Sequence, residues 1–313
     1  MTHTRAGASF RLSMALLAGL AWGASSSCAG VSGQPGVAPP SGGADAAAPS
    51  GDAAVSGPAD SALAELGGTA ADVQRGADVG SGAVVFVYAH TSNELYHVNP
   101  DTLAVSLVGA FFQRGADMVS HIPFFGVTDI AVDHMGAIIG VTFSEVLRID
   151  PATAECTTLA TLGGRSLFNG LSWVTQGNSE LLVATASDGT VSRVDPMTGD
   201  VSPIGMMGQG VGSSGDLVSV ARFGTLATVK TPTGTSDWLA SLDPATGQAT
   251  LIGAIGFRDV LGIGFWKDRV FGFTQGGQFI LIDPMTGAGT MASQMPGISW
   301  WGAGVTTAAF VIP

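Results

Sequence analysis

Between residues 95 and 282, short runs in which apolar and polar side chains alternate recur at nearly even spacing, the two-residue period of half-buried strands. Five of them (95–98, 146–149, 191–194, 239–242 and 279–282) lead directly into related pentapeptides. These are Asn99-Pro100-Asp101-Thr102-Leu103, Asp150-Pro151-Ala152-Thr153-Ala154, Asp195-Pro196-Met197-Thr198-Gly199, Asp243-Pro244-Ala245-Thr246-Gly247 and Asp283-Pro284-Met285-Thr286-Gly287. The copies start 51, 45, 48 and 40 residues apart. A second alternating run follows each, ending in several copies at a Gly, as in Val105-Ser106-Leu107-Val108-Gly109 and Ala249-Thr250-Leu251-Ile252-Gly253. Two strands joined by one fixed turn make a hairpin.

Each position of the pentapeptide has a backbone reason. Pro presets φ near −65°, the Asp or Asn before it accepts a backbone N–H two residues on, and the closing Gly takes φ > 0 as the strand resumes. Asn99, Asp150, Asp195, Asp243 and Asp283 are therefore read as turn formers. Five side chains at equivalent places in a repeat cannot all meet in one active site.

Two further strand-like runs precede the hairpins: 127–132 and 137–143, 171–174 and 180–186, 217–221 and 225–230, 260–266 and 269–274. Four short strands every 40 to 50 residues are the pattern of propeller blades. With its Asp-Pro-x-Thr-Gly turns, the repeat resembles the bacterial propeller families of the NHL, YVTN and PQQ-type quinoprotein kind. That resemblance spans about three quarters of the chain and speaks to architecture, not to function. Only one strand, 83–89, fits before the first hairpin, and one, 300–311, is left after the last. The fold class expected is all-β, a five-bladed β-propeller over 83–313 whose last strand becomes the innermost strand of the first blade, so that no long sheet edge stays open.

The N-terminus reads differently. Arg5 and Arg11 precede an apolar run over 12–24, too short to span a bilayer at ~20 residues and fitting a secretory signal. Ser25-Ser26-Ser27-Cys28 then resembles a bacterial lipoprotein signal, which implies a diacylglycerol on Cys28; Ser25 stands where that family usually has an aliphatic residue. Ordinary cleavage nearby is the alternative. Residues 29–80 are mostly Ala, Gly, Pro and Ser and are expected to form a disordered linker, with an r.m.s. span of roughly 40 Å. The expected location is the bacterial cell envelope, as an outer-membrane lipoprotein, or otherwise periplasmic or secreted.

Composition narrows the function. The 46 glycines disfavour long helices, and 24 acidic against 12 basic residues give a formal charge of −12 with no Lys/Arg cluster, which excludes a phosphate-backbone partner. Gly210-Val211-Gly212-Ser213-Ser214-Gly215 matches a dinucleotide fingerprint as text, but a strand follows it where phosphate binding needs a helix. His90, His97, His121 and His134 sit on separate runs and are read as structural or solvated.

Two groups of residues stand out. Asp129, Asn169, Asp216 and Asp259 lie at or just before the innermost strands and could converge in the central channel as paired carboxylates or around calcium, or instead bond to neighbouring blades. Phe111, Phe112, Arg114, His121, Phe124 and Phe125, in an insertion over 110–125, and Trp300 lie on variable connections opposite the Asp-Pro turns, where aromatics suit a partner surface. The favoured function is a non-catalytic binding or scaffold module for a protein or glycan, monomeric, without cofactor, and touching a membrane only through a lipid anchor. The alternative is a glycosidase- or lactonase-like hydrolase, or a lyase, using the channel acids.

Overall fold

The computed structural model describes residues 87–163 and 167–312. The signal, Cys28, the linker over 29–80 and the start of the strand expected over 83–89 lie outside the described residues.

The chain forms five four-stranded antiparallel blades. The first contains β1 (Val87–His90), β2 (Glu94–Val98) and β3 (Val105–Ala110), and then β4 (Phe112–Arg114) and β5 (His121–Pro123) make a separate hairpin. The second blade is β6 (Asp129–Val132), β7 (Ile138–Val141), β8 (Glu145–Ile149) and β9 (Cys156–Thr161). The third is β10 (Phe168–Gln176), β11 (Ser179–Ala186), β12 (Thr190–Val194) and β13 (Val201–Met206). The fourth is β14 (Gly212–Val220), β15 (Gly224–Lys230), β16 (Trp238–Leu242) and β17 (Ala249–Ala254). The fifth is β18 (Val260–Trp266), β19 (Arg269–Thr274), β20 (Gln278–Ile282) and β21 (Gly289–Gln294). Finally β22 (Gly302–Gly304) returns to pair with β1, as Tyr88 with Gly304 and His90 with Gly302, and completes the first blade from the inside.

The repeat is visible atom by atom in the Asp-Pro turns. The side-chain oxygen of Asn99, Asp150, Asp195, Asp243 or Asp283 accepts the amide two residues on, at 2.7 to 3.0 Å. The amide of the fifth residue donates to the first residue's carbonyl at 2.7 to 2.9 Å. That fifth residue has φ between 61° and 78° in all five copies, including Leu103 and Ala154, where a side chain accepts a strain of about 1 kcal/mol that Gly avoids. In every blade the pairing of the third and outermost strands also slips by one residue at the same place, from Leu95/Tyr96 to Phe279/Ile280.

The Gly closing several outer strands has a packing cause that periodicity alone does not show. A Cβ at Gly205 would collide with the carbonyl oxygen of Thr246, and one at Gly253 with that of Thr286. These outer strands thus end against the Asp-Pro turn of the next blade, with backbone touching backbone.

Sheets alternating apolar and polar positions must bury one side chain in two, and they do so between blades. The aromatic side chains concentrate at the seam of the fifth and first blades. Phe273 lies 5.0 Å from Phe279 and 5.4 Å from Trp300, whose indole lies 5.1 Å from the ring of Tyr96. Trp300 is fully buried, so the position expected on a partner surface belongs instead to the core. Cys156 is likewise buried, and desolvation pushes its thiol up to about 12.

The closing segment differs from the single strand expected over 300–311. Only Gly302–Gly304 pairs as a strand; the chain then crosses the end of the ring that carries the Asp-Pro turns. Thr306 Oγ1 donates to the carbonyl of Asp133 in the second blade at 2.8 Å, and Thr307 Oγ1 donates to Glu180 in the third. The amide of Ala221 in the fourth blade donates to Thr307, and that of Lys267 in the fifth to Phe310, whose ring lies 6.3 Å from Trp266. The tail therefore ties four blades together across the channel.

Candidate functional site

Five inner strands converge on the axis, and their equivalent positions can be matched through the bonds between blades. Asp129 Oδ1 accepts the amide of Ile130 at 2.8 Å and Oδ2 accepts that of Leu171, in the next blade, at 2.6 Å. Asp216 repeats the arrangement, with Leu217 and Ile263 each at 2.6 Å. One level of the channel is thus made by Gly302, Asp129, Gly170, Asp216 and Gly262, one residue per blade.

The glycines at three of these places let the inner strands approach closely, and Gly302 also leaves room for an acid. A Cβ on Gly302 would strike Asp129 Oδ1 and His90 Nε2, and one on Gly170 would strike Thr185 and approach the Asp216 backbone. Asp129 and Asp216 lie near enough for the charge of one to act on the other, and both are 0% exposed. Burial lifts both carboxyls well above the ordinary range, and for Asp129 the charge of Asp216 adds to this. The pair titrates as one unit. His90 Nδ1 donates to the carbonyl of Thr91 at 2.8 Å, which leaves Nε2 as a lone pair 3.6 Å from Asp129 Oδ1. Desolvation lowers this imidazole to about 4, so it is neutral at ordinary pH.

Asp259 does not join them. It sits in a strained turn at φ 51°, and its half-exposed carboxylate pairs with Lys230 Nζ at 2.7 Å. Asn169 lies one level higher than the acids, with Nδ2 donating to the carbonyl of Ser213 at 3.2 Å and Oδ1 without a hydrogen-bond partner.

That upper level is the open one. Thr128, Asn169, Gly215, Leu261 and Trp301, each the residue before the sealed ring, line a pocket of about 320 Å³ on the face opposite the Asp-Pro turns. Phe143 and Leu167, 56% and 66% exposed, stand at its edge, and Phe168, Ser187, Ser214 and Gln275 complete the wall. No lining side chain carries a charge. The axis is therefore open above, sealed by two carboxyls in the middle and crossed by the C-terminal tail below. Ser214 donates to the buried Asp237, which also accepts the amide of Val260 at 2.7 Å, so this wall too is braced between blades.

The insertion over 110–125 lies elsewhere. Its hairpin packs on the outer strand of the second blade: Arg114 Nε reaches both carboxylate oxygens of Glu155 at 2.9 Å, and Gln113 bonds Thr158 at 3.0 Å. Phe111 is buried in the core and Phe124 packs against it, while His121 stacks on Phe112 at 3.9 Å. Phe111, Phe112, Arg114 and His121 border a second hollow of about 460 Å³ beside Thr153 of an Asp-Pro turn, not the channel mouth. Of the expected partner-surface set, Phe125 is 67% exposed. Among the described residues, no group of three or more His, Cys, Asp or Glu side chains is placed to hold a metal ion.

Sequence reading named Asn169 but missed Trp301, Gln275 and the rest of the ring just above the acids. The signal was present: at blade spacing, an Asp or Gly stands before an apolar residue in Asp129-Ile130, Gly170-Leu171, Asp216-Leu217, Gly262-Ile263 and Gly302-Ala303.

No family profile matches this chain, and no curated protein matches it. Among solved structures, it is similar to the computationally designed Ika8 protein (16% identity over 70% of this chain and 61% of that one, TM-score 0.31). It is also similar to a protein of unknown function from Bacteroides caccae (11%, 69% and 74%, 0.37) and to hydrazine synthase of Kuenenia stuttgartiensis (12%, 64% and 59%, 0.35). The chain spans about three fifths of the length of the first and third of these. At such scores the likenesses say nothing of ligand or activity.

Proposed function

We propose that this chain is an exported five-bladed propeller, of the NHL, YVTN and quinoprotein-like kind, that acts as a binding module with its ligand seated in the axial pocket opposite the Asp-Pro turns. One observation carries the reading: the pocket receives a residue from every blade, and a ring so braced is pre-organised. The carboxyls that a hydrolase would use lie a level beneath it with 0% exposure, each oxygen already accepting a backbone amide. A general acid or nucleophile must touch its substrate.

A ligand-observed NMR screen of a chemically diverse fragment library tests this reading. Hits are expected to compete with one another and to be lost in Trp301→Ala and in Asn169→Leu, two variants that keep the wild-type melting temperature within a few degrees. Fragments that bind both variants unchanged would place the site elsewhere.

Export with acylation at Cys28 is the second part of the proposal, resting on the signal-like residues 1–28. Labelled palmitate should enter the protein and disappear in Cys28→Ala. A mature protein that begins at an unmodified residue contradicts the anchor.

A further inference from the structure

The ligand class follows from the chemistry of the pocket wall. Its polar groups are amides and hydroxyls, from Asn169, Gln275, Ser187 and Thr128, and its apolar surface comes from Trp301 and Phe143 among others. A charged ligand would find no counter-ion in the wall, and an anion would also meet the field of a chain at −12. A purely apolar ligand would leave the amides and hydroxyls unpaired, at roughly 1–3 kcal/mol for each that is desolvated. What fits is a neutral molecule with one apolar face and a polar edge.

The volume supports a small one. About 320 Å³ lies at the low end of ligand pockets and holds one or two rings rather than an extended chain. Asn169 adds a specific requirement. Its Nδ2 donates to the carbonyl of Ser213, while Oδ1 is buried and has no partner, so a turn of the amide that brings Oδ1 to the pocket would give it a ligand O–H as donor. Thr128 Oγ1 donates to the carbonyl of Val141 at 3.1 Å, so toward the pocket it too acts as an acceptor.

We infer that the axial pocket binds a neutral saccharide, one pyranose ring lying with its C–H face on the Trp301 indole and its hydroxyls directed to Asn169 and Thr128. This rests on the reading of the pocket as the ligand site and selects a glycan over a peptide.

The test uses the full chain and tryptophan fluorescence. The panel comprises neutral methyl glycosides and trisaccharides of gluco, galacto and manno configuration with their N-acetyl forms, an oligogalacturonate as the anionic counterpart, and a capped neutral tripeptide. At least one neutral sugar should bind, with affinity reduced tenfold or more in Trp301→Ala, fivefold or more in Asn169→Leu, and less than threefold in Trp301→Phe. The oligogalacturonate should bind at least tenfold more weakly than its neutral counterpart. Binding of the tripeptide or the oligogalacturonate in preference to every neutral sugar, with loss in Trp301→Ala, overturns the saccharide and leaves the pocket standing. Sugar binding that is equal in all three variants overturns the pocket as well. Absence of binding across the neutral sugars, with fragments still captured by the pocket, overturns the saccharide alone.

Discussion

A chain ending at Gly297 should not fold. Removing the last sixteen residues takes the innermost strand from the first blade, together with the fully buried Trp300 and Ala303 and the nearly buried Val305 and Ala309. It also removes the ties from Thr306, Thr307 and Phe310 to the second, third, fourth and fifth blades. Emptying the Trp300 site alone costs about 3–5 kcal/mol, against a total stability of roughly 5–15 kcal/mol for a typical domain. The unpaired β1 edge would then promote aggregation. Circular dichroism and light scattering should therefore show an aggregating chain without a cooperative melt, and full-length Trp300→Ala should melt cooperatively but many degrees lower. A truncated chain that stays soluble with wild-type melting would mean that the ring does not close through this segment.

The second large effect is a pH dependence carried by the sealed pair. Asp129 and Asp216 have their folded-state carboxyl pKa raised above an unfolded value near 4, so their stabilising contribution is fully present below that value and declines as pH rises through the folded one. His90 opposes this in acid, because its folded pKa of about 4 lies below the unfolded value near 6.5 and favours the native state only at higher pH. Cys156, raised to about 12, adds a decline only above its unfolded value near 8.5. Between pH 6.5 and the folded-state pKa of the pair, stability should therefore fall with rising pH, by up to about 1.4 kcal/mol per unit for one proton. His134, raised by Glu180, acts in the same direction over part of this window, so His134→Gln serves as the control and should keep most of the slope. Asp216→Asn should lose most of it. In Asp129→Leu the buried amides of Ile130 and Leu171 lose their acceptor, and the cost should be about 2–5 kcal/mol. Chemical denaturation at several pH values reads all four proteins, and a slope unchanged in Asp216→Asn would contradict a shared proton.

The local rules of the chain were legible because they are backbone rules. Asp195-Pro196-Met197-Thr198-Gly199 specifies its turn without help from the rest of the protein, and five such turns at blade spacing leave few folds open. Strand closure was legible by counting. Features set by contact between blades were not. Whether Asp129, Asp216 and Asp259 share the axis depends on where each falls along its inner strand: the first two fall on the sealed level, while Asp259 stands three residues before Gly262, in a turn, and meets Lys230. Trp300 and Phe111 look like surface aromatics on variable connections, yet seams between blades fill the core with such side chains. The binding-pocket ring was harder still, since Thr128, Asn169, Gly215, Leu261 and Trp301 share no residue type and are related only by standing one place before the sealed level.

A crystal structure of the full chain with the best-binding neutral sugar tests the account most directly. It should show a pyranose ring over Trp301 within hydrogen-bonding reach of Asn169, with Asp129 and Asp216 beneath it still bonded to Leu171 and Ile263 and out of contact with the sugar. A sugar that instead touches either carboxyl, or that sits in the rim hollow beside Arg114, would contradict it.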